Sequence, residues 1–219
     1  MRYKTVIFDL DGTLLDTLGD LSSSVNHALR QHGLSERSKA DVRRFLGNGI
    51  RRLVEQSVPE GTSPSMTEEV FQTFRQYYLE HSLDETAPYE GIMELLHQLH
   101  DMDVATAIVS NKLDPAVKEL HQHFFSDTIR VAIGETASIR RKPAPDMVDE
   151  CIRLLGCDRQ SCLYVGDSEV DLLTSLNASL PCCSVSWGFR DRDFLIDAGA
   201  TTIIDHPEEL IGVIKGSPL

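Results

Sequence analysis

The chain has 219 residues, 41% of them hydrophobic and 25% charged, a composition typical of a soluble globular protein whose core needs no disulfides. Its formal net charge of −13 argues against a nucleic-acid-binding surface and against a polybasic membrane anchor. No apolar run approaches the roughly 18 residues of a membrane-spanning helix, and the run in the N-terminal MRYKTVIFDLDG is too short for a signal peptide, so we expect a cytoplasmic protein.

The first predicted element is a strand over residues 4–10, KTVIFDL. From about Leu15 to Glu85 the sequence then shows four helical patterns and no convincing strand. Glycines and the PEGTSP stretch at 59–64 separate these patterns. We therefore predict an all-helical module over residues 15–85, inserted directly after the first strand.

Beyond this module, short β-branched runs alternate with helical patterns. Strands are predicted over residues 103–110, 128–134, 161–167 and 181–187, with a short edge strand over 200–204. Helices are predicted over residues 91–101, 114–124, 145–156 and 169–178. Such alternation is typical of a parallel sheet covered by helices on both faces. The sequence thus predicts an α/β core formed by residues 1–14 and 86–219.

Polar residues occupy the predicted carboxyl ends of several strands. Asp9 and Asp11 follow the first strand, and side chains two residues apart in a strand point to the same side. The other polar residues at such junctions are Ser110, Asn111, Lys142, Asp167 and Asp171. Ligands of an open parallel sheet bind at the carboxyl ends of its strands, so we expect these side chains to face one cleft.

The residue types at this predicted cleft suit the transfer of a phosphoryl group. A hard cation such as Mg²⁺ prefers oxygen ligands, which Asp9 and Asp167 would supply while the cation relieves the repulsion between carboxylates. One Asp9 oxygen would attack phosphorus, and Asp11 would give a proton to the leaving oxygen and later take one from water. Ser110 and Lys142 would stabilise the phosphoryl charge.

Each feature also has a plain structural explanation. Asp11 with Gly12 suits a turn, Ser110 suits a helix cap, Lys142 suits a solvated basic loop, and GDSEVD suits an acidic helix start. Their joint occurrence in this order, each at a strand-to-helix junction, favours the functional interpretation.

Four segments in this order, DLDGTLLDT, VSNK, RKPAP and GDSEVD, resemble the motifs of the haloacid dehalogenase superfamily. The helical module resembles the cap domain of its phosphatase branch, and the resemblance covers essentially the whole chain. It implies a Rossmann-like core, dependence on Mg²⁺ and hydrolysis of a small phosphorylated metabolite. From the net charge of −13 we expect neither a nucleic acid nor a membrane as partner.

The resemblance also implies a role for each motif residue. Asp9 is implied as nucleophile and metal ligand, and Asp11 as general acid and base, with its backbone carbonyl on the metal. Asp167 is implied as a metal ligand, with Asp171 in or near the shell that surrounds the ligands. The residues implied to bind phosphate are Gly12, Ser110, Asn111 and Lys142. Dehalogenases of the superfamily lack an acid at the position of Asp11, which favours phosphate chemistry here.

Two further segments, FLGNGIRRLVEQ at 45–56 and SVSWGFRD at 184–191, look like parts of phosphoglycolate phosphatases. Backbone can approach a small substrate closely at glycine, and an arginine suits a second anionic group such as a carboxylate. The candidate specificity residues of the cap are Arg44, Gly47, Asn48, Gly49 and Arg51. The two glycines would serve equally well to end one helix and start the next.

Several alternatives stay open on the sequence. Relatives with similar caps act on pyrophosphate, nucleotides or sugar phosphates, and a phosphomutase similar to β-phosphoglucomutase uses the same core. The short LGNGIRR loop offers no obvious set of residues to organise a sugar, which disfavours the mutase. A non-catalytic protein on this fold would be expected to have lost at least one motif residue. The choice between monomer and homodimer and the role of Arg140 and Arg141 also stay open.

The cysteines and histidines carry little functional signal. The five cysteines include no CxxC pair, and we expect them to be free thiols. We expect the eight histidines to be surface or core residues rather than ligands of a transition metal.

Overall fold

A computed structural model describes residues 1–216 of the chain. Within these residues the chain separates into two compact units. The first comprises Met1–Leu15 and the chain from Pro88 onward, and the second comprises Asp16–Ala87. None of the helices described over residues 1–216 combines the length and the apolar character that crossing a bilayer requires.

The first unit contains a six-stranded parallel sheet. The strands of the chain are, in order, β1 (Thr5–Phe8), β2 (Leu15–Asp16), β3 (Ala87–Pro88), β4 (Ala105–Leu113), β5 (Val131–Glu135), β6 (Cys162–Gly166), β7 (Cys182–Val185) and β8 (Ile203–Ile204). The sheet order is β5-β4-β1-β6-β7-β8, and every pairing in it is parallel. Strands β2 and β3 form a separate two-stranded sheet. The predicted α/β fold with a Rossmann-like parallel sheet is confirmed.

Helices cover this sheet. In the first unit they are α5 (Ile92–Asp101), α6 (Asp114–Phe124), α7 (Asp146–Leu155), α8 (Glu169–Asn177), α9 (Arg192–Asp197) and α10 (Leu210–Lys215), with short 3-10 turns at Arg159–Ser161 and Pro207–Glu209. All four residues of β1 are buried, as expected for a strand that is covered on both faces. Part of the core lies between the sheet and α7, where Ile7, Ala107 and Tyr164 cluster with Met147.

The second unit consists of four helices. They are α1 (Leu18–Gln31), α2 (Lys39–Phe45), α3 (Gly49–Ser57) and α4 (Pro64–Glu80). Helix α4 buries Val70, Phe74 and Tyr78, whose spacing of four residues places them on one face of the helix. It begins three residues before the helical pattern TEEVFQTFRQYYLEHS, which starts at Thr67. The reason is that Ser63 Oγ accepts a hydrogen bond from the N–H of Met66 at 3.2 Å and so caps the helix.

Two differences from the predicted elements have clear physical reasons. Strand β4 extends to Leu113 rather than ending at Ser110, because the polar residues Ser110, Asn111 and Lys112 are buried and stay in the strand with an irregular register. Helices α9 and α10 were not predicted, since six residues are too few to show a helical period. The five cysteines are free, as predicted.

Asp20 holds the end of the second unit in place through three hydrogen bonds. Its side chain is buried in the first turn of α1. Oδ1 accepts the N–H of Glu85 at 2.8 Å, and Oδ2 accepts the N–H and the hydroxyl of Thr86 at 2.9 and 2.7 Å. This carboxylate therefore accepts hydrogen bonds from two backbone N–H groups that lie outside the helices and strands.

We expect Asp20→Ala to lower the free energy of unfolding by about 2–4 kcal/mol, because buried donors are left without an acceptor. Urea titration followed by circular dichroism measures this loss. Asp84→Ala is the matched control, since Asp84 is exposed and its ion pair with His81 lies at the surface; about 1 kcal/mol or less is expected there. Equal losses in the two variants would contradict the assignment.

Candidate active site

The carboxyl ends of three strands meet at the centre of the sheet. Strand β1 lies between β4 and β6, with Phe8 aligned to Ile108 on one side and to Val165 on the other. After β1 the chain forms β4 and β5 on one side of it and then crosses to form β6, β7 and β8 on the other side. The strand order therefore switches at β1, which is the position where ligands bind in this architecture. Asp9 follows β1 and Asp167 follows β6, so both carboxylates stand at this edge.

Asp9 is held on one side only. Its N–H donates to the carbonyl of Val165 at 2.9 Å and so continues the parallel ladder. Its Oδ1 accepts hydrogen bonds from the N–H of Leu10 and from Lys142 Nζ, each at 2.7 Å. In the described part of the chain, the hydrogen bonds to this carboxylate all end on Oδ1. Oδ2 is therefore the oxygen that is left to react or to bind a ligand.

Lys142 is a buried cation between two carboxylates. Its side chain is 2% exposed, and Nζ lies 2.7 Å from Asp9 Oδ1 and 2.8 Å from Asp171 Oδ1. Burial lowers the pKa of Lys142, but the charges of Asp171 and Asp9 outweigh this effect and the net shift of the pKa is upward. The ammonium thus stays charged at neutral pH.

Asp171 is fully occupied by hydrogen bonds. It lies in the first turn of α8, where its Oδ2 accepts the N–H and the hydroxyl of Ser168 at 3.1 and 2.6 Å. Its Oδ1 accepts the hydroxyl of Tyr164 at 3.0 Å in addition to Lys142. This carboxylate therefore both caps the helix and orients the lysine.

Two hydrogen bonds from distant parts of the chain orient the Asp167 side chain. Thr13 Oγ1 donates to its Oδ1 at 3.2 Å, and the N–H of Phe189 donates to its Oδ2 at 2.7 Å. Burial, together with the charge of Asp171, raises the pKa of Asp167 to about 7. The protein on its own thus disfavours a negative charge on Asp167 beside Asp171.

The three carboxylates form a site that suits a divalent cation. Asp9, Asp167 and Asp171 are buried and offer oxygen atoms that lie within 4.8 Å of one another. Burial raises the pKa of Asp9 as well, and Asp171 adds to this rise. One ammonium, that of Lys142, faces three acids, so the cluster has a deficit of positive charge. Carboxylate oxygens with such a deficit fit a hard cation.

Two glycines let the backbone pack tightly against Asp167. Gly12 has φ of +87°, and a methyl group added to it would lie 2.5 Å from Asp167 Oδ2. A methyl group added to Gly188 would overlap both the Gly12 carbonyl and the Asp167 side chain. Trp187 Nε1 also donates to the carbonyl of Thr13 at 3.0 Å. The loop after β7 is therefore part of this site.

The other residues predicted at this edge of the sheet are Asp11, Ser110 and Asn111, which form hydrogen bonds with Lys112 or Lys142. Asp11 is partly exposed, and Lys112 Nζ donates to its Oδ1 at 2.8 Å. Ser110 is buried, and its Oγ accepts the N–H of Lys112 at 3.2 Å. Asn111 Nδ2 donates to the carbonyl of Lys142 at 3.1 Å, so Asn111 supports the loop that carries the lysine. Its buried Oδ1 has no hydrogen-bond partner among residues 1–216.

The predicted specificity residues belong to the helical unit. Within that unit Arg44 pairs with Asp41 in the same helix. Arg51 Nη1 lies 2.8 Å from Glu68 Oε2, and its guanidinium stacks over the ring of Phe71, 4.1 Å from the centroid. Gly47 and Asn48 lie in the connection between α2 and α3, and Gly49 is the first residue of α3. Both arginines would have to leave a carboxylate partner in order to bind a substrate.

The two arginines before Lys142 form ion pairs with acidic residues. Arg140 Nε lies 2.8 Å from Asp146 Oδ1, and Arg141 Nη1 lies 4.0 Å from Glu135. Arg140 is highly exposed. Each of the two arginines is thus paired with a carboxylate, Arg140 with one in α7 and Arg141 with one at the end of β5.

Sequence reasoning missed several residues that shape the site. They are Thr13, Lys112, Tyr164, Ser168 and Phe189, the last through its backbone N–H. A signal existed for Lys112, which lies two residues after Ser110 within VSNK. Tyr164 gave none, because an aromatic residue within a strand is usually a core residue.

Comparisons with known proteins agree with this geometry. The model of the haloacid dehalogenase-like hydrolase family matches residues 6–185. A phosphoglycolate phosphatase of Mesorhizobium japonicum is 33% identical over 88% of this chain and 86% of its own length. An N-acetylmuramic acid 6-phosphate phosphatase of Pseudomonas aeruginosa is 31% identical over 98% of this chain and 96% of its own.

A solved structure agrees as well. The crystal structure of a provisionally named phosphoglycolate phosphatase from Lactobacillus delbrueckii subsp. bulgaricus has a TM-score of 0.93 and 37% identity. The match covers 98% of this chain and 99% of that one. The family match extends over most of the sheet and includes the stretches that carry Asp9, Ser110, Lys142 and Asp167. The chain therefore belongs to the haloacid dehalogenase-like hydrolase family.

Proposed function

We propose that this phosphatase hydrolyses a small phosphomonoester through a phosphorylated Asp9, with 2-phosphoglycolate as the first candidate substrate. The observation that carries the proposal is the setting of Asp9: Lys142 holds Oδ1 at 2.7 Å, while the other oxygen lacks a hydrogen bond within residues 1–216. A carboxylate that is held on one side and unengaged on the other suits nucleophilic attack.

In the first step, Asp9 Oδ2 forms a bond to phosphorus while the bond from phosphorus to the alcohol oxygen breaks. Asp11 gives its proton to that oxygen as the alcohol leaves. In the second step, a water molecule attacks phosphorus and passes a proton to Asp11. The bond to Asp9 breaks, and inorganic phosphate and the free carboxylate are produced.

Lys142 supplies the positive charge for this chemistry. Its ammonium lies beside the attacked group in both steps and needs no rearrangement, because Asp171 holds it in place. Ser110 and the backbone N–H groups near Gly12 and Asn111 would bind the phosphoryl oxygens.

The residues proposed to hold Mg²⁺ are Asp9, Asp167 and the backbone carbonyl of Asp11, with Asp171 next to them. When bound, the ion would neutralise carboxylate and phosphate charge, a common means of stabilising phosphoryl transfer. The charge deficit of the three buried carboxylates supports this assignment.

The names of the relatives support two substrates. Phosphoglycolate and N-acetylmuramic acid 6-phosphate differ in size, but both are phosphomonoesters that also carry a carboxylate. We propose that residues 15–85 act as a cap that recognises this second group, with Arg51 as the candidate after it leaves Glu68. The phosphomutase and the pyrophosphatase or nucleotidase stay as alternatives. The cytoplasmic location stays a prediction, and the choice between monomer and homodimer stays open.

Phosphate release from a substrate panel tests the proposal. The panel contains 2-phosphoglycolate, N-acetylmuramic acid 6-phosphate, pyrophosphate, a nucleoside monophosphate and glucose 1-phosphate, each with Mg²⁺ and with EDTA. We expect release that needs Mg²⁺ and favours one of the carboxylate esters. Preference for another panel member would discard the substrate assignment and keep the mechanism. Conversion of the sugar phosphate to an isomer with little free phosphate would show a mutase.

A further inference from the structure

Lys112 is a buried cation at the active-site edge to which the sequence assigned no role. Its side chain is 2% exposed, whereas that of its partner Asp11 is 19% exposed. Lysine is almost never fully buried unless it is paired, because removing its ammonium from water is costly. The pairing with Asp11, at 2.8 Å, therefore explains why a lysine is tolerated at this position.

The geometry indicates which member of the pair of Asp11 and Lys112 holds the other. The backbone around Asp11 is already held, because Gly12 N–H donates to the Leu15 carbonyl at 2.9 Å. The carboxylate of Asp11 is free to rotate about its side-chain bonds unless a partner holds it. Lys112 is itself fixed by β4, and its N–H donates to Ser110 Oγ at 3.2 Å. The lysine side chain is also the more deeply buried of the two, at 2% exposed against 19% for Asp11.

We propose that Lys112 is a positioning residue that holds the Asp11 side chain in the orientation from which it protonates the leaving group. The inference rests on the proposed acid–base role of Asp11. The contact that carries this role is the one from Lys112 Nζ to Asp11 Oδ1 at 2.8 Å.

Esters with different leaving groups distinguish a positioning role of Lys112 from a purely structural role. The alkoxide released from an alkyl phosphate is a strong base and needs a proton as it leaves. The p-nitrophenolate released from p-nitrophenyl phosphate is stable in neutral water and leaves without one. The ratio kcat/KM covers the steps up to release of the first product. Loss of a positioned acid therefore lowers kcat/KM for alkyl esters and spares the aryl ester.

The experiment measures kcat/KM of Lys112→Met, Lys112→Arg and wild type with three esters: 2-phosphoglycolate, glycerol 3-phosphate and p-nitrophenyl phosphate. We expect Lys112→Met to lower the alkyl-to-aryl ratio of kcat/KM at least tenfold. Lys112→Arg keeps a cation near Asp11 and is expected to recover part of the loss. Lys118→Met, which removes an exposed lysine of α6, is the matched control and should leave the ratio unchanged.

Other results would overturn the inference. Equal losses with all three esters would indicate a merely structural role. A loss confined to KM for 2-phosphoglycolate would show instead that Lys112 binds the substrate carboxylate. If Lys112→Met does not fold, as judged by thermal unfolding, Lys112→Gln takes its place, and an unchanged ratio in that variant would show that the orientation of Asp11 does not depend on the lysine cation.

Asp11→Asn separates this inference from the proposed function. We expect it to lower the same alkyl-to-aryl ratio, and Lys112→Met in that background should add no further change, because the two residues act as one unit. If Asp11→Asn leaves the ratio unchanged, the proposed acid fails first. If Asp11→Asn lowers the ratio and Lys112→Met does not, the positioning role alone is wrong.

Discussion

Asp9→Asn is expected to lower the rate of phosphate release by at least about 10³-fold, because an amide oxygen is a poor nucleophile and cannot form the aspartyl-phosphate. The substitution keeps the size of the side chain. It also removes one of three crowded carboxylates, so the folded protein should lose little stability. Phosphate release with Mg²⁺ and the preferred panel substrate measures the effect, and thermal unfolding checks the fold.

The matched control for this variant is Asp101→Asn at the exposed end of α5. It makes the same chemical change away from the sheet edge and is expected to leave phosphate release within about twofold of wild type. Activity of Asp9→Asn that approaches wild type, after contamination by another phosphatase is excluded, would show that Asp9 is not the nucleophile.

Lys142→Met is expected to lower both stability and activity. In EDTA we expect the free energy of unfolding to fall by about 3–5 kcal/mol, because the buried carboxylates of Asp9 and Asp171 lose their cation. Phosphate release should fall by about 10²–10³-fold, as expected when a preorganised positive charge is removed. Urea titration and phosphate release measure the two effects.

Added Mg²⁺ should restore part of the stability of this variant, since a cation that binds only the folded state shifts the unfolding equilibrium. The stabilisation by Mg²⁺ should be larger in Lys142→Met than in wild type, where the ammonium already offsets part of the charge. Lys118→Met serves as the control for loss of a lysine. A loss in Lys142→Met no greater than in this control, or no response to Mg²⁺, would contradict the charge balance proposed for the cluster.

The sequence was sufficient to predict the sheet and the residues at its edge. The run Thr5–Phe8 is apolar apart from its first residue, and an acid that directly follows such a buried strand stands out. The same holds for Asp167 after Cys162–Gly166. In each case the signal is local, because strand period and strand end are read within a few residues.

The pairings across the site could not be predicted in the same way. Asp11 and Lys112 are 101 residues apart, and the N–H of Phe189 reaches Asp167 from the loop after β7. Such contacts depend on the register of neighbouring strands and on the path of a loop, and neither has a local pattern. The extension of β4 was missed for a related reason: burial of Ser110 and its neighbours comes from their partners, not from their own polarity.

The double role of Asp171 links the stability of one helix turn to the integrity of the site. The N–H of Ser168 donates to Asp171 Oδ2, and the N–H of Asp171 donates to the Ser168 carbonyl at 3.1 Å. Opening of this turn would release Lys142 from one of its two carboxylate partners at the same moment. The exchange rates of these two backbone amides with deuterated solvent would therefore report how often the contact between Lys142 and Asp171 comes apart, without any substrate present.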